Sequence, residues 1–191
     1  MAVLRLVISL LLFTVTAAAD VRLEKNSSAP DVPPAIKEQV QGQGIRVLND
    51  SGDPYAEIWL AKALNAVAKA PGSDVLYSGI PEGSFLGVWR FVHKGSDFRG
   101  TSIKPGLYTM RYELMPADGN HMGASQYRDF VLLLPVAADE NPSEALKFEQ
   151  AVALSRKASG TGHPAVNSRS FICGCPSGEG WAAYSMPWWR R

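Results

Sequence analysis

The pair Pro105-Gly106 and the alternating run behind it constrain this chain more than any other feature. Proline presets φ for the second position of a type II turn, and glycine accepts the positive φ of the third. In the strand that follows, Tyr108, Met110, Tyr112 and Leu114 share one face. Thr109, Arg111 and Glu113 occupy the other, which is polar enough to meet solvent.

Other segments carry the same period. Residues 130–134 are apolar at every position, the pattern of a strand buried on both faces. Residues 85–92 alternate, with Phe85, Gly87, Trp89 and Phe91 on one face and Leu86, Val88, Arg90 and Val92 on the other. Residues 45–48 run into the dense turn signal of residues 49–54, and residues 55–60 resume with Tyr, Ile and Trp, which reads as a hairpin. A helix over residues 56–70 competes with its second strand, because Leu60, Leu64 and Val67 have helical spacing. We take the strand. Leu76-Tyr77 and residues 163–166 are candidates for short strands.

One helix is expected over residues 142–158. Asn141 suits the N-cap, Pro142 the first helical position and Glu144 the third. Phe148, Val152 and Ser155, with Ala145 and Ala151, make its inner stripe, and Gly160 ends it. Arg156 and Lys157 complement the dipole in the last turn. Short strands separated by turns, plus one late helix, predict a mainly β chain built as an antiparallel β-sandwich with one C-terminal helix.

The two ends differ from this body. Residues 1–19 combine Arg5, an apolar run and Ala17-Ala18-Ala19, which reads as a signal peptide cleaved after Ala19. The run is too short for a stable bilayer anchor, which needs roughly 20 residues. The expected location is secreted or periplasmic, with no transmembrane span after cleavage. Residues 20–44 hold Pro30, Pro33 and Pro34 and few large apolar side chains, and read as a flexible linker to a domain over residues 45–166. Residues 167–191 read as an irregular tail holding Cys173, Cys175, Trp181, Trp188 and Trp189. A shifted reading frame in a GC-rich gene would produce the same Trp/Arg/Cys/Gly bias. With 46% hydrophobic and 19% charged residues, the chain is neither a multi-span membrane protein nor disordered throughout. A net charge of +1 offers no electrostatic grip on nucleic acid.

The stretch Lys104-Pro105-Gly106-Leu107-Tyr108-Thr109 resembles the P-G-x-Y-T strand entry of immunoglobulin-like and carboxypeptidase-regulatory-like domains. Residues 98–135, with Asp118-Gly119-Asn120-His121-Met122-Gly123 and Tyr127-Arg128-Asp129-Phe130, are similar to uncharacterised secreted bacterial proteins. With residues 155–166 the resemblance covers about a third of the chain. It implies an immunoglobulin-like sandwich and carries over no functional residue.

The glycines of residues 159–163 lack the Lys-Ser/Thr of a phosphate loop, and residues 123–127 lack the second glycine of a nucleophile elbow. The polar residues that stand out are Asp118, His121, Tyr127, Arg128 and Asp129, flanking one loop, with His163 able to join them. A histidine and a carboxylate can ligate zinc or act as base and orienter. Without paired ligand spacing, loop hydrogen bonding is the plainer role, and no metal or catalytic residue is assigned. Trp59, Trp89, Tyr108 and Tyr112 suit a sugar-stacking platform or, more simply, a core. Cys173 and Cys175 are only two ligands, and a disulfide between them would be strained. The expectation is an exported, non-catalytic protein without cofactor that binds an unidentified protein or small ligand. The alternatives are a metal-assisted or hydrolytic enzyme using His121 with Asp118 or Asp129, and a carbohydrate-binding module.

Overall fold

A computed structural model describes residues 22–26, 28–70, 74–118 and 127–168. In chain order the elements are β1 (Arg22–Asn26), α1 (Pro34–Gln39), β2 (Gly44–Leu48), β3 (Pro54–Leu60), β4 (Phe85–Phe91), β5 (Gly95–Ser96), β6 (Ser102–Ile103), β7 (Gly106–Leu114), β8 (Asp129–Pro135), a 3-10 turn at Val136–Ala138, α2 (Phe148–Ser159) and β9 (Val166–Ser168). The chain is mainly β, as expected. Seven strands form one antiparallel sheet in the order β1-β2-β3-β4-β7-β8-β9, and β5 and β6 form a separate two-strand ribbon. Among the described residues the second sheet is therefore only a ribbon, not the equal partner that a sandwich implies. Each strand lies against the preceding strand of its own sheet, the default for consecutive elements.

One sheet face carries Val47, Ile58, Trp89, Met110, Tyr112 and Leu133. Ile103 of β6 packs there, with Leu64, Tyr77 and Ile80 of the connection between β3 and β4. The opposite face carries Trp59, Phe85 and Val88 against Ile36, Val40 and Val136, and Phe130, Leu132 and Leu134 against Ala151, Phe148 and Val152 of α2. Leu132, Leu133 and Leu134 are wholly buried, so β8 is covered on both faces as its unbroken apolar run predicts. Burying each stabilises the fold by about 1.5–3 kcal/mol.

Several expectations are corrected. The linker over residues 20–44 contains β1, paired along β2, and α1, started by Pro34 in its first turn. Ile36 of α1 and Val40 just past its end are buried, and the Gln39 carbonyl and Gln41 amide bond to Lys62 and Leu60, which docks this short helix. Phe85 does not share a face with Trp89 and Phe91. A bulge between Phe85 and Gly87 inserts Leu86, which turns Leu86 toward Trp89 and Phe91 and sends Phe85 to Val88. The helix begins at Phe148 rather than 142. The carbonyls of Asn141 and Glu144, which would accept the first helical bonds, both accept from Arg111, and that of Asn141 also takes a single turn bond from the Glu144 amide. Gly160 ends α2 in the left-handed region as expected, at φ 65°. Residues 61–70 are not helical, and Leu76-Tyr77 is not a strand. No helix among the described residues is long and apolar enough to cross a membrane. The signal peptide and the tail beyond residue 168 lie outside the described residues.

Candidate functional site

Asp129 opens β8 opposite Leu114, and both of its carboxylate oxygens accept hydrogen bonds. Oδ2 accepts from the Leu76 amide at 2.9 Å, and Oδ1 accepts from the Tyr77 amide at 2.9 Å and the Tyr112 hydroxyl at 2.6 Å. Burial, then the bond and charge of Asp129, raise the Tyr112 phenol above its ordinary pKa and keep it a donor. Arg128 donates Nε to the Met115 carbonyl at 2.6 Å, and its amide donates to the Asp74 carbonyl at 2.8 Å. Its Nη1 lies 3.7 Å from the Asp74 carboxylate. These two candidates are thus joined to residues 74–77, and together they pin the connection between β3 and β4.

The other candidates are placed as follows. Asp118 is exposed and Tyr127 half-buried. His121 lies outside the described residues. His163 is exposed, and its amide donates to Thr161 Oγ1 at 3.1 Å. It precedes Ala165, whose carbonyl accepts from Leu133, so it belongs to the far end of β8. Four residues of strand put about 13 Å between that end and Asp129. Among the described residues no group of three or more His, Cys, Asp or Glu could hold a metal ion.

The four aromatic residues follow the simpler expectation. Trp59 lies on one face and donates Nε1 to the Ser28 carbonyl, whereas Trp89, Tyr108 and Tyr112 lie in the core of the other. All four are buried, so they are core.

The densest polar centre was expected to face solvent. Thr109, Arg111 and Glu113 are each 0% exposed. Arg111 uses all five of its N–H donors. Nε donates to Asp139 Oδ2 at 2.8 Å and Nη2 to Asp139 Oδ1 at 2.6 Å. The remaining donors meet the carbonyls of Gly83 at 3.1 Å, Glu144 at 2.6 Å and Asn141 at 2.9 Å. Thr109 Oγ1 donates to Asp139 Oδ2 at 2.6 Å, and the guanidinium lies 5.6 Å from the centre of the Phe85 ring. Alternation alone placed these residues on a polar face. The signal that the face is covered was the helix expected just after β8, which closes over it.

Glu113 has no such partners. Neither carboxylate oxygen meets a hydrogen-bond donor among the described residues. Burial, and then the charge of Glu82, push its carboxyl up to about 8; Glu149 adds to the rise and Arg111 opposes it. A third charged group lies across three strands. Arg46, Glu57 and Arg90 are in register on β2, β3 and β4, and Glu57 accepts from Arg46 at 3.0 Å and from Arg90 at 2.9 Å.

No family model matches the chain, and no curated protein or solved structure matches it.

Proposed function

We propose that the chain is an exported, non-catalytic β protein whose folded domain binds a partner protein or a small ligand. The observation that carries this reading is that Asp129 is committed to holding two backbone amides and a phenol of its own chain. Arg111 likewise has no donor left for a substrate. The signal-like residues 1–19 and the resemblance to secreted bacterial proteins support the export half of the reading.

Two measurements on the full chain, produced in a bacterial host, test it. Amino-terminal sequencing of the exported protein is expected to begin at Asp20, and retention of the uncleaved chain in the membrane would overturn export. Elemental analysis is expected to find no stoichiometric metal. Bound zinc that is lost in His121→Ala would replace the binding reading with the metal-assisted one.

A further inference from the structure

Glu113 is an acid placed where its charge has no counterpart. It follows Arg111 by one pleat on the face of β7 that meets Phe130 and Leu132 of β8. Two other segments meet beside it. The turn holding Glu82 is tied to β7 by the Gly83 amide donating to the Tyr112 carbonyl and by the Tyr112 amide donating to the Ser84 carbonyl. The entry to α2 touches that turn, with the Leu146 amide donating to the Gly83 carbonyl at 3.4 Å. A Cβ on Gly83 would stand only 1.9 Å from the Leu146 carbonyl oxygen, so the two segments are in direct backbone contact.

The acids near Glu113 oppose its ionisation, and Arg111 only partly offsets them. Glu82 on the turn and Glu149 in the first turn of α2, both exposed, act on it through their charge. The cation on its own strand, Arg111, is paired with Asp139, itself buried. From β8 the residue opposite is Phe130, and β4 contributes Phe85 beside Arg111. Of the 139–147 segment, Glu144 contributes its carbonyl to Arg111, and Lys147 is exposed.

We propose that Glu113 is a pH-sensitive element: it is buried as a neutral carboxylic acid, and its ionisation loosens the 81–84 turn and the entry to α2 from the sheet. A carboxylate formed there meets no donor among the described residues, and two like charges sit on the segments that cover it. Moving those segments outward admits water and separates the three acids together. The carboxyl, raised from an ordinary 4.5 to about 8, sets the window in which this happens. Because the folded pKa is the higher one, its contribution is complete below the unfolded value. It is lost as pH rises toward and through the folded value.

The test is denaturant unfolding of the full chain from pH 5 to pH 9.5, with amide exchange at each end. The unfolding constant of the wild type is expected to rise with pH, by up to about tenfold per unit, and to level off above the folded pKa. Glu113→Gln is expected to flatten that dependence. Exchange at Gly83 and Leu146, corrected for intrinsic rate, should accelerate with pH more than exchange at Leu133. Equal pH slopes in the wild type and Glu113→Gln would overturn the proposal. If Glu113→Gln does not fold, Glu82→Gln and Glu149→Gln decide. Each removes a like charge and should move the midpoint to lower pH, and an unmoved midpoint in both overturns the proposal equally.

Discussion

Arg111 and Asp139 face each other as fork and carboxylate, joined by two parallel bonds of 2.8 and 2.6 Å, with side chains 0% and 2% exposed. Removing one partner leaves a buried, unpaired charge, which costs about 3–5 kcal/mol. Arg111→Met and Asp139→Leu should each lower unfolding stability by that order in chemical denaturation. Arg111→Lys should not rescue it. A lysine has three donors and no planar fork, so it cannot serve Asp139 and three carbonyls at once.

Asp129→Ala should free the connection that covers the aromatic face. It strips acceptors from the Leu76 and Tyr77 amides and from the Tyr112 hydroxyl. The expected cost is about 1–3 kcal/mol for each group left dry, less where water reaches the amide. Limited proteolysis should then cut within residues 62–80 faster than in the wild type. Tyr112→Phe, which removes one of the three bonds, should have the smaller effect.

Two glycines with the same backbone angle separate steric from conformational cost. Gly83 and Gly100 both have φ 79°. A Cβ at Gly83 would collide with the backbone of Leu146, whereas at Gly100 it would meet nothing within 4 Å. Gly100→Ala should lower the melting temperature by a few degrees, reflecting about 1 kcal/mol of left-handed strain. Gly83→Ala should cost considerably more.

Around Glu57 the prediction is asymmetric. Arg90 is 48% exposed at its side chain, so Arg90→Ala should change stability by no more than about 1 kcal/mol. Glu57→Ala leaves two arginines on neighbouring strands with no anion between them. It should be the more damaging change, and its effect should shrink at high salt.

The sequence displayed what local periodicity controls. The strands at residues 85–91 and 106–114 are written in alternation, that at 55–60 in its Tyr, Ile and Trp after a dense turn signal, and the end of α2 in Gly160. It did not display what depends on a distant segment. Thr109, Arg111 and Glu113 look like a wet face until Asp139 and α2 cover them. The bulge at Leu86 leaves no mark in an apolar run. The cap at Asn141 is sound chemistry, defeated by an arginine thirty residues upstream that takes its carbonyl. Of the candidates, Arg128 and Asp129 do form hydrogen bonds, with Met115 and with residues 74–77 and Tyr112. That Asp129 reaches back to residues 76 and 77 could not be read from spacing.

The order of the seven-stranded sheet follows the order of the chain, with only the β5–β6 ribbon set aside. Among the described residues no strand is inserted between two that came before it. Such a sheet can assemble by accretion, each new strand finding its template already in place, and pairing between sequence neighbours is the arrangement that folds fastest. Its two ends are also the two places where it can be shortened. Trimming β1 would uncover β2 without cutting through the layers, whereas loss of β7 would split the molecule in two.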